Sequence, residues 1–200
     1  MQINEREICV YVIMDIFNEG AYNNIILRNT LKKYNTLTRT QKSFITEVVN
    51  GTLRNLIYID YIIDSFSKIK TSKMKPFILS NLRVSIYQIK FMDKVPNSAV
   101  CDEAVKLAKK KGFQNLSGFV NGILRNVIRN IDNIVYPNKE TDFINYISVK
   151  YSYPKWILDY WLESFNKEEV EDICNASNIP PKICACVNFL KTNKNEIKSI

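Results

Sequence analysis

The 200-residue chain contains no histidine. That removes Ser-His and Cys-His nucleophile pairs and any histidine-ligated metal. Cys184-Ala185-Cys186 has no second cysteine pair at zinc spacing, so these two read as plain strand cysteines rather than metal ligands. Five Gly and six Pro are few for this length, which favours helices with short connections. No Gly-rich strand–helix turn is present to cradle a nucleotide; Gly118 and Gly122 fall inside a helical pattern. No apolar run approaches the roughly 18 residues of a membrane span. The opening Met1-Gln2-Ile3-Asn4-Glu5-Arg6-Glu7 carries acid early and lacks a signal-peptide plan. The five cysteines are odd in number and sit in apolar stretches, which reads as reduced, buried thiols in a cytoplasmic protein. Glu168-Glu169 and Glu171-Asp172 fall on a polar helix face and read as solvated. No group of residues here supports catalysis by this chain alone.

What is present is cationic and unevenly placed. The net charge is +8. Residues 1–135 hold 20 Lys and Arg against 11 Asp and Glu, whereas residues 136–200 hold 8 against 9. All seven arginines lie in the first part. A basic part followed by a near-neutral one points to a polyanion partner for the first only. Base-composition bias would account for the excess of lysine, but poorly for the segregation of arginine.

The chain also repeats itself. Val49-Asn50-Gly51-Thr52-Leu53-Arg54-Asn55 returns as Val120-Asn121-Gly122-Ile123-Leu124-Arg125-Asn126, identical at six of seven positions. Around each copy the apolar residues trace one helical stripe: Phe44, Ile45, Val48, Val49, Leu53 and Leu56, then Phe119, Val120, Ile123, Leu124, Val127 and Ile128. The Asn, Gly and Arg residues fall on the other side or at its margin. Glycine inside a helix costs about 1 kcal/mol relative to alanine, so something must need the space. Close packing where two halves meet is the first reading for Gly51 and Gly122, with Arg54 and Arg125 pairing to acids such as Asp60 or Glu103. A large residue at position 122 would then unfold the domain. Contact of the arginines with an RNA backbone is the second reading.

Helix signals give each half the same plan. Asn4 with Glu7 reads as a capping box opening a helix that Gly20 ends, and a second helix covers about 23–34. Thr38 with Gln41 caps a long helix carrying the first copy, followed by an apolar stretch to Phe66. After a lysine-rich link over 68–75, Pro76 opens the next half. A helix from Pro96 ends in Lys109-Lys110-Lys111-Gly112, cations that suit the C-terminal dipole or a phosphate. The helix with the second copy follows. The expected fold class is all-α: a bundle of two three-helix halves, then helices near 142–151, 154–165 and 167–176. Beyond Pro180-Pro181, residues 183–190 alternate weakly as a strand and 193–200 open another helix. This is the start of an α/β unit, and it makes the chain look cut off.

The segment Phe44-Ile45-Thr46-Glu47-Val48-Val49-Asn50-Gly51-Thr52-Leu53-Arg54 resembles the repeat helix of the NusB-like domain in RsmB/Sun-type 16S rRNA methyltransferases. Ile86-Tyr87-Gln88-Ile89, the helix over 96–109 and Gly118 to Arg125 are similar to further segments of that family, and Arg6-Glu7 to the opening helix shared with the NusB antitermination factor. Tyr151-Ser152-Tyr153-Pro154-Lys155-Trp156-Ile157 and the stretch from Pro180-Pro181 to Val187-Asn188-Phe189-Leu190-Lys191-Thr192 resemble the lead-in to the methyltransferase domain. Cys186 stands where that family usually has Arg. The resemblance implies a NusB-like RNA-binding domain over 1–137, with linker helices and the beginning of the methyltransferase region over 138–200. It also implies S-adenosylmethionine-dependent methylation of cytosine C5 by the full-length enzyme. The catalytic cysteines of the family follow Thr and Pro. Cys9, Cys101, Cys174, Cys184 and Cys186 follow Ile, Val, Ile, Ile and Ala, so none matches. No cofactor, metal or membrane contact is expected for this chain. The expected role is to bind 16S rRNA electrostatically through Arg6, Arg39, Lys42, Arg54, Lys109, Lys110, Lys111, Arg125 and Arg129, positioning it for catalysis outside this chain. The alternative is an antitermination-type adaptor that binds RNA and docks a ribosomal protein.

Overall fold

The structure, a computed structural model, describes residues 4–20, 22–179 and 188. The described elements are helices: α1 (Glu5–Glu19), α2 (Asn23–Lys33), α3 (Arg39–Arg54), α4 (Leu56–Phe66), α5 (Pro76–Phe91), α6 (Asn97–Lys110), α7 (Ser117–Asn130), α8 (Phe143–Tyr151), α9 (Lys155–Leu162) and α10 (Lys167–Asn178). Among the described residues no helix is long and apolar enough to cross a membrane, and no group of His, Cys, Asp or Glu could hold a metal ion. Of the strand expected over 183–190 only Asn188 is described, in neither helix nor strand; Cys184, Cys186 and the helix start at 193–200 lie outside the described residues.

Local chemistry sets the helix ends. Thr38 and Gln41 form the full reciprocal box at the start of α3. At α1 only half a box forms. Asn4 Oδ1 accepts from the Glu7 amide at 2.9 Å, but the Glu7 carboxylate turns away to Lys110 and Lys111. Gly20 ends α1 with a φ of 61°, a left-handed turn that costs glycine nothing. The apolar stretch after the first repeat is a separate helix. The chain breaks at Asn55 (φ −102°, ψ 21°), so α4 leaves α3 in a new direction.

The core is built around α5, which touches α1, α3, α4, α6 and α7. Residues 80–88 are all buried. A helix enclosed on every side must pair its own polar groups. Asn81 Nδ2 donates to the Ala104 carbonyl, Ser85 Oγ to that of Asn81, and Gln88 Nε2 to that of Val84. Arg83 forks onto both carboxylate oxygens of Asp60 at 2.8 and 2.7 Å and lies 4.6 Å over the Phe17 ring. Cys9, Cys101 and Cys174 are free and buried; burial pushes their thiols up, that of Cys174 to about 11. These are inert, protonated thiols.

Helices α8, α9 and α10 form a second small core of Phe143, Ile147, Leu158, Val170 and Cys174. It is fastened to the bundle along α4. Tyr136 stacks on Tyr58 at 5.9 Å and donates its hydroxyl to that of Tyr58, and Tyr61 Oη donates to the Val135 carbonyl. Ser152 Oγ accepts from the Ile57 amide at 2.9 Å, supplying the α4 cap that Asn55 does not. Glu171, read from sequence as solvated, is instead a junction. It binds Lys139 at 2.6 Å and Lys150 at 3.0 Å, tying α10 to α8 and to the segment before it.

Candidate nucleic-acid interface

The cations proposed from sequence fall into three groups. Arg6 is half-buried. Its Nε donates to Gln88 Oε1 at 2.8 Å, and its guanidinium lies 5.6 Å from the Phe44 ring centre, so it braces α1 against α5 and α3. Lys110 and Lys111 both bind Glu7 at 2.7 Å, and Lys111 also lies 4.8 Å over Tyr11. They bind the end of α6 to α1. Burial pushes the Glu7 carboxyl up, but the two lysines outweigh it and hold the group below its ordinary value.

The third group is Arg39, Lys42, Arg54, Lys109, Arg125 and Arg129. None of these side chains makes an ion pair among the described residues. The partners suggested for Arg54 and Arg125 are taken: Asp60 by Arg83, and Glu103 by Lys106 and Asn4. The pairing expected for the two repeat arginines is therefore wrong, and both are exposed.

The two repeat glycines also part company. A Cβ on Gly51 would sit 2.0 Å from the Tyr87 ring, so here α3 and α5 do pack through glycine. A Cβ on Gly122 would meet nothing within 4 Å, and the same holds for Gly118. The close-packing reading holds for the first copy and fails for the second. On α7, Gly118, Gly122, Arg125 and Arg129 follow one another at four- and three-residue steps. They make one exposed strip with no bulk at one end and two cations at the other.

Arg39 and Lys42 lie on a different surface. They line a hollow along the first turns of α3 with Ser43, Thr46 and Glu47. It adjoins a cleft of about 560 Å³ between α2 and α3, which shares Lys42 and Thr46. That cleft adds Arg28 and Lys32 from α2, cations not singled out from sequence, above a floor of Leu27 and Leu31. The available signal was their spacing of four on a short helix beside a Leu pair at the same spacing. With Arg28, six of the seven arginines lack a carboxylate partner among the described residues: Arg6 is held by Gln88, and the other five lie exposed on α2, α3 and α7. Such surfaces hold unneutralised charge, which is chemistry for phosphate contact.

The NusB family model matches residues 3–129. The chain is 32% identical over 192 residues to the probable ribosomal RNA small subunit methyltransferase B of Bacillus subtilis (strain 168), covering 96% of this chain and 42% of that protein. It is 34% identical over 124 residues to the transcription antitermination protein NusB of Clostridium novyi (strain NT), covering 59% of this chain and 93% of that one. Among solved structures it is similar to that of the antitermination factors NusB and NusE in complex with dsRNA, with a TM-score of 0.58 and 18% identity over 62% of this chain and 93% of that one. The last likeness is one of fold. The chain spans less than half the length of the methyltransferases it matches.

Proposed function

Because the chain belongs to the NusB family, with residues 3–129 as its NusB domain, we propose that this domain binds RNA and serves ribosomal RNA methylation. The RNA would be small-subunit rRNA and the modification cytosine C5 methylation. The carrying observation is the set of exposed arginines on α2, α3 and α7 that make no ion pair among the described residues, Asp60 and Glu103 being taken by Arg83 and Lys106. Charge kept free of internal partners releases counterions when it meets phosphate. The likeness to the methyltransferases over 96% of the chain, including α8 to α10, favours this reading over a bare adaptor.

The chain's own contribution is to bind and orient. Arg39, Lys42, Arg54, Arg125 and Arg129 would meet phosphates, and α8 to α10, fastened to α4, would carry that orientation onward. The described residues do not fit S-adenosylmethionine: they have no strand-end glycine turn with a following acid to hold its ribose. No chemical step is assigned to them.

Binding to a small-subunit rRNA fragment, followed against salt, tests the reading. With about five cations engaged, the log–log slope should lie near −3 to −4. A flat response would overturn it. Capture of a ribosomal protein that persists in high salt, without RNA binding, would favour the antitermination-type adaptor instead.

A further inference from the structure

The cleft between α2 and α3 carries more than charge. Its walls hold cations on both sides, Arg28 and Lys32 from α2 and Lys42 from α3, and no carboxylate lines it. Its floor is apolar, formed by buried Leu27 and half-buried Leu31. Asn50, the asparagine of the first repeat, closes its α3 side. The Asn50 side-chain amide makes no hydrogen bond among the described residues, so both its donor and its acceptor are available. The volume of about 560 Å³ lies within the range of small-molecule sites.

Resting on the RNA-binding reading, we infer that this cleft takes one unpaired nucleotide of a single-stranded RNA. Its base lies on the leucine floor, its edge meets Asn50, and its flanking phosphates meet Arg28, Lys32 and Lys42. The occupant follows from the combination. Cations on two walls need an occupant with anionic charge on two sides. An apolar floor beneath them needs a flat face free of stacking. Inside a duplex both faces of a base are stacked; an unpaired base can lay one on protein and still carry phosphates on both sides. The backbone has a continuation, because the hollow lined by Arg39 runs on from Lys42 along α3. An acidic peptide would match the cations and could bond the Asn50 amide, but its carboxylate side chains have no flat face to lay on the leucine floor.

The test uses the whole chain and two fluorescent RNAs, a single strand and a blunt duplex of the same sequence. Two variants change the cleft without touching the core: Arg28→Gln with Lys32→Gln, both exposed, and Asn50→Leu. Far-ultraviolet circular dichroism verifies their fold. The charge variant should lose about tenfold in single-strand affinity, and Asn50→Leu about fivefold, each with duplex affinity changed less than about twofold. A photoreactive thiouridine in the single strand should crosslink to peptides from α2 or from residues 42–50. Equal losses for strand and duplex, or crosslinks confined to α7, overturn the cleft while leaving RNA binding intact. No binding of either RNA by the unaltered chain overturns the underlying reading as well. Poly-glutamate binding that equals the single strand and vanishes in the charge variant assigns the cleft to a protein instead.

Discussion

Gly51 and Gly122 occupy the same place in the repeated heptapeptide, yet they answer to different neighbours. At Gly51 a methyl group would enter the Tyr87 ring, whose hydroxyl donates to Glu47 at 2.7 Å. Gly51→Ala should therefore destabilise the fold by about 1–2 kcal/mol, an overpacking cost partly offset by helix propensity. At Gly122 the same change should stabilise by about 1 kcal/mol, because nothing is displaced and a mid-helix glycine is removed. Urea unfolding of the two variants checks the opposite signs. Equal effects would mean that α7 packs as α3 does. Glu7 gives a second residue-scale expectation. Its carboxyl is held below the ordinary 4.5 in the fold. A depressed acid contributes stability above its unfolded value and loses it as pH falls through the folded one. Stability should thus decline below about pH 4.5, and Glu7→Gln should make that decline shallower, as read by thermal unfolding across pH.

At the scale of elements, the unexpected feature is that α4 borrows its cap. Ser152 lies 95 positions away in sequence from Ile57, whose amide it satisfies. It is also the only non-glycine with a positive φ (59°) among the described residues. The two properties pull in opposite directions. Ser152→Ala loses the cap and keeps the left-handed strain, so it should cost about 1 kcal/mol. Ser152→Gly loses the cap but relieves roughly 1 kcal/mol of strain, so it should be near neutral. Hydrogen exchange at the Ile57 amide should quicken in both. Unchanged exchange would show that α8 docks on α4 without capping it. The Thr38 box was legible because both partners lie within one turn. The Ser152 cap was not, because nothing local marks a serine that serves another helix.

For the whole molecule, the cations divide into those that hold helices together and those that hold nothing. Lys110→Gln with Lys111→Gln should lower the unfolding midpoint and leave RNA affinity within about twofold. Arg125→Gln with Arg129→Gln should do the reverse, with affinity falling about tenfold and the midpoint unmoved. Measuring both quantities on both pairs separates the roles. A large RNA defect in the lysine pair would return α6 to the interface. Arg28 and Lys32 join the second class only because α2 folds back on α3, bringing their charges over a leucine floor.

By itself, the sequence determined the helical class, the places where most helices begin and end and the segregation of basic charge. Those properties are written in periodicity, caps and composition, which act over a few residues and need no partner. Tertiary structure alone decided which repeat glycine is packed, which cations are spent on Glu7 and Asp60, and that α2 and α3 enclose a cleft. The reason is physical. A local pattern states what a side chain can do, but its neighbours across the fold settle whether a methyl group fits, a carboxylate is already taken, or a charge is left to face the solvent.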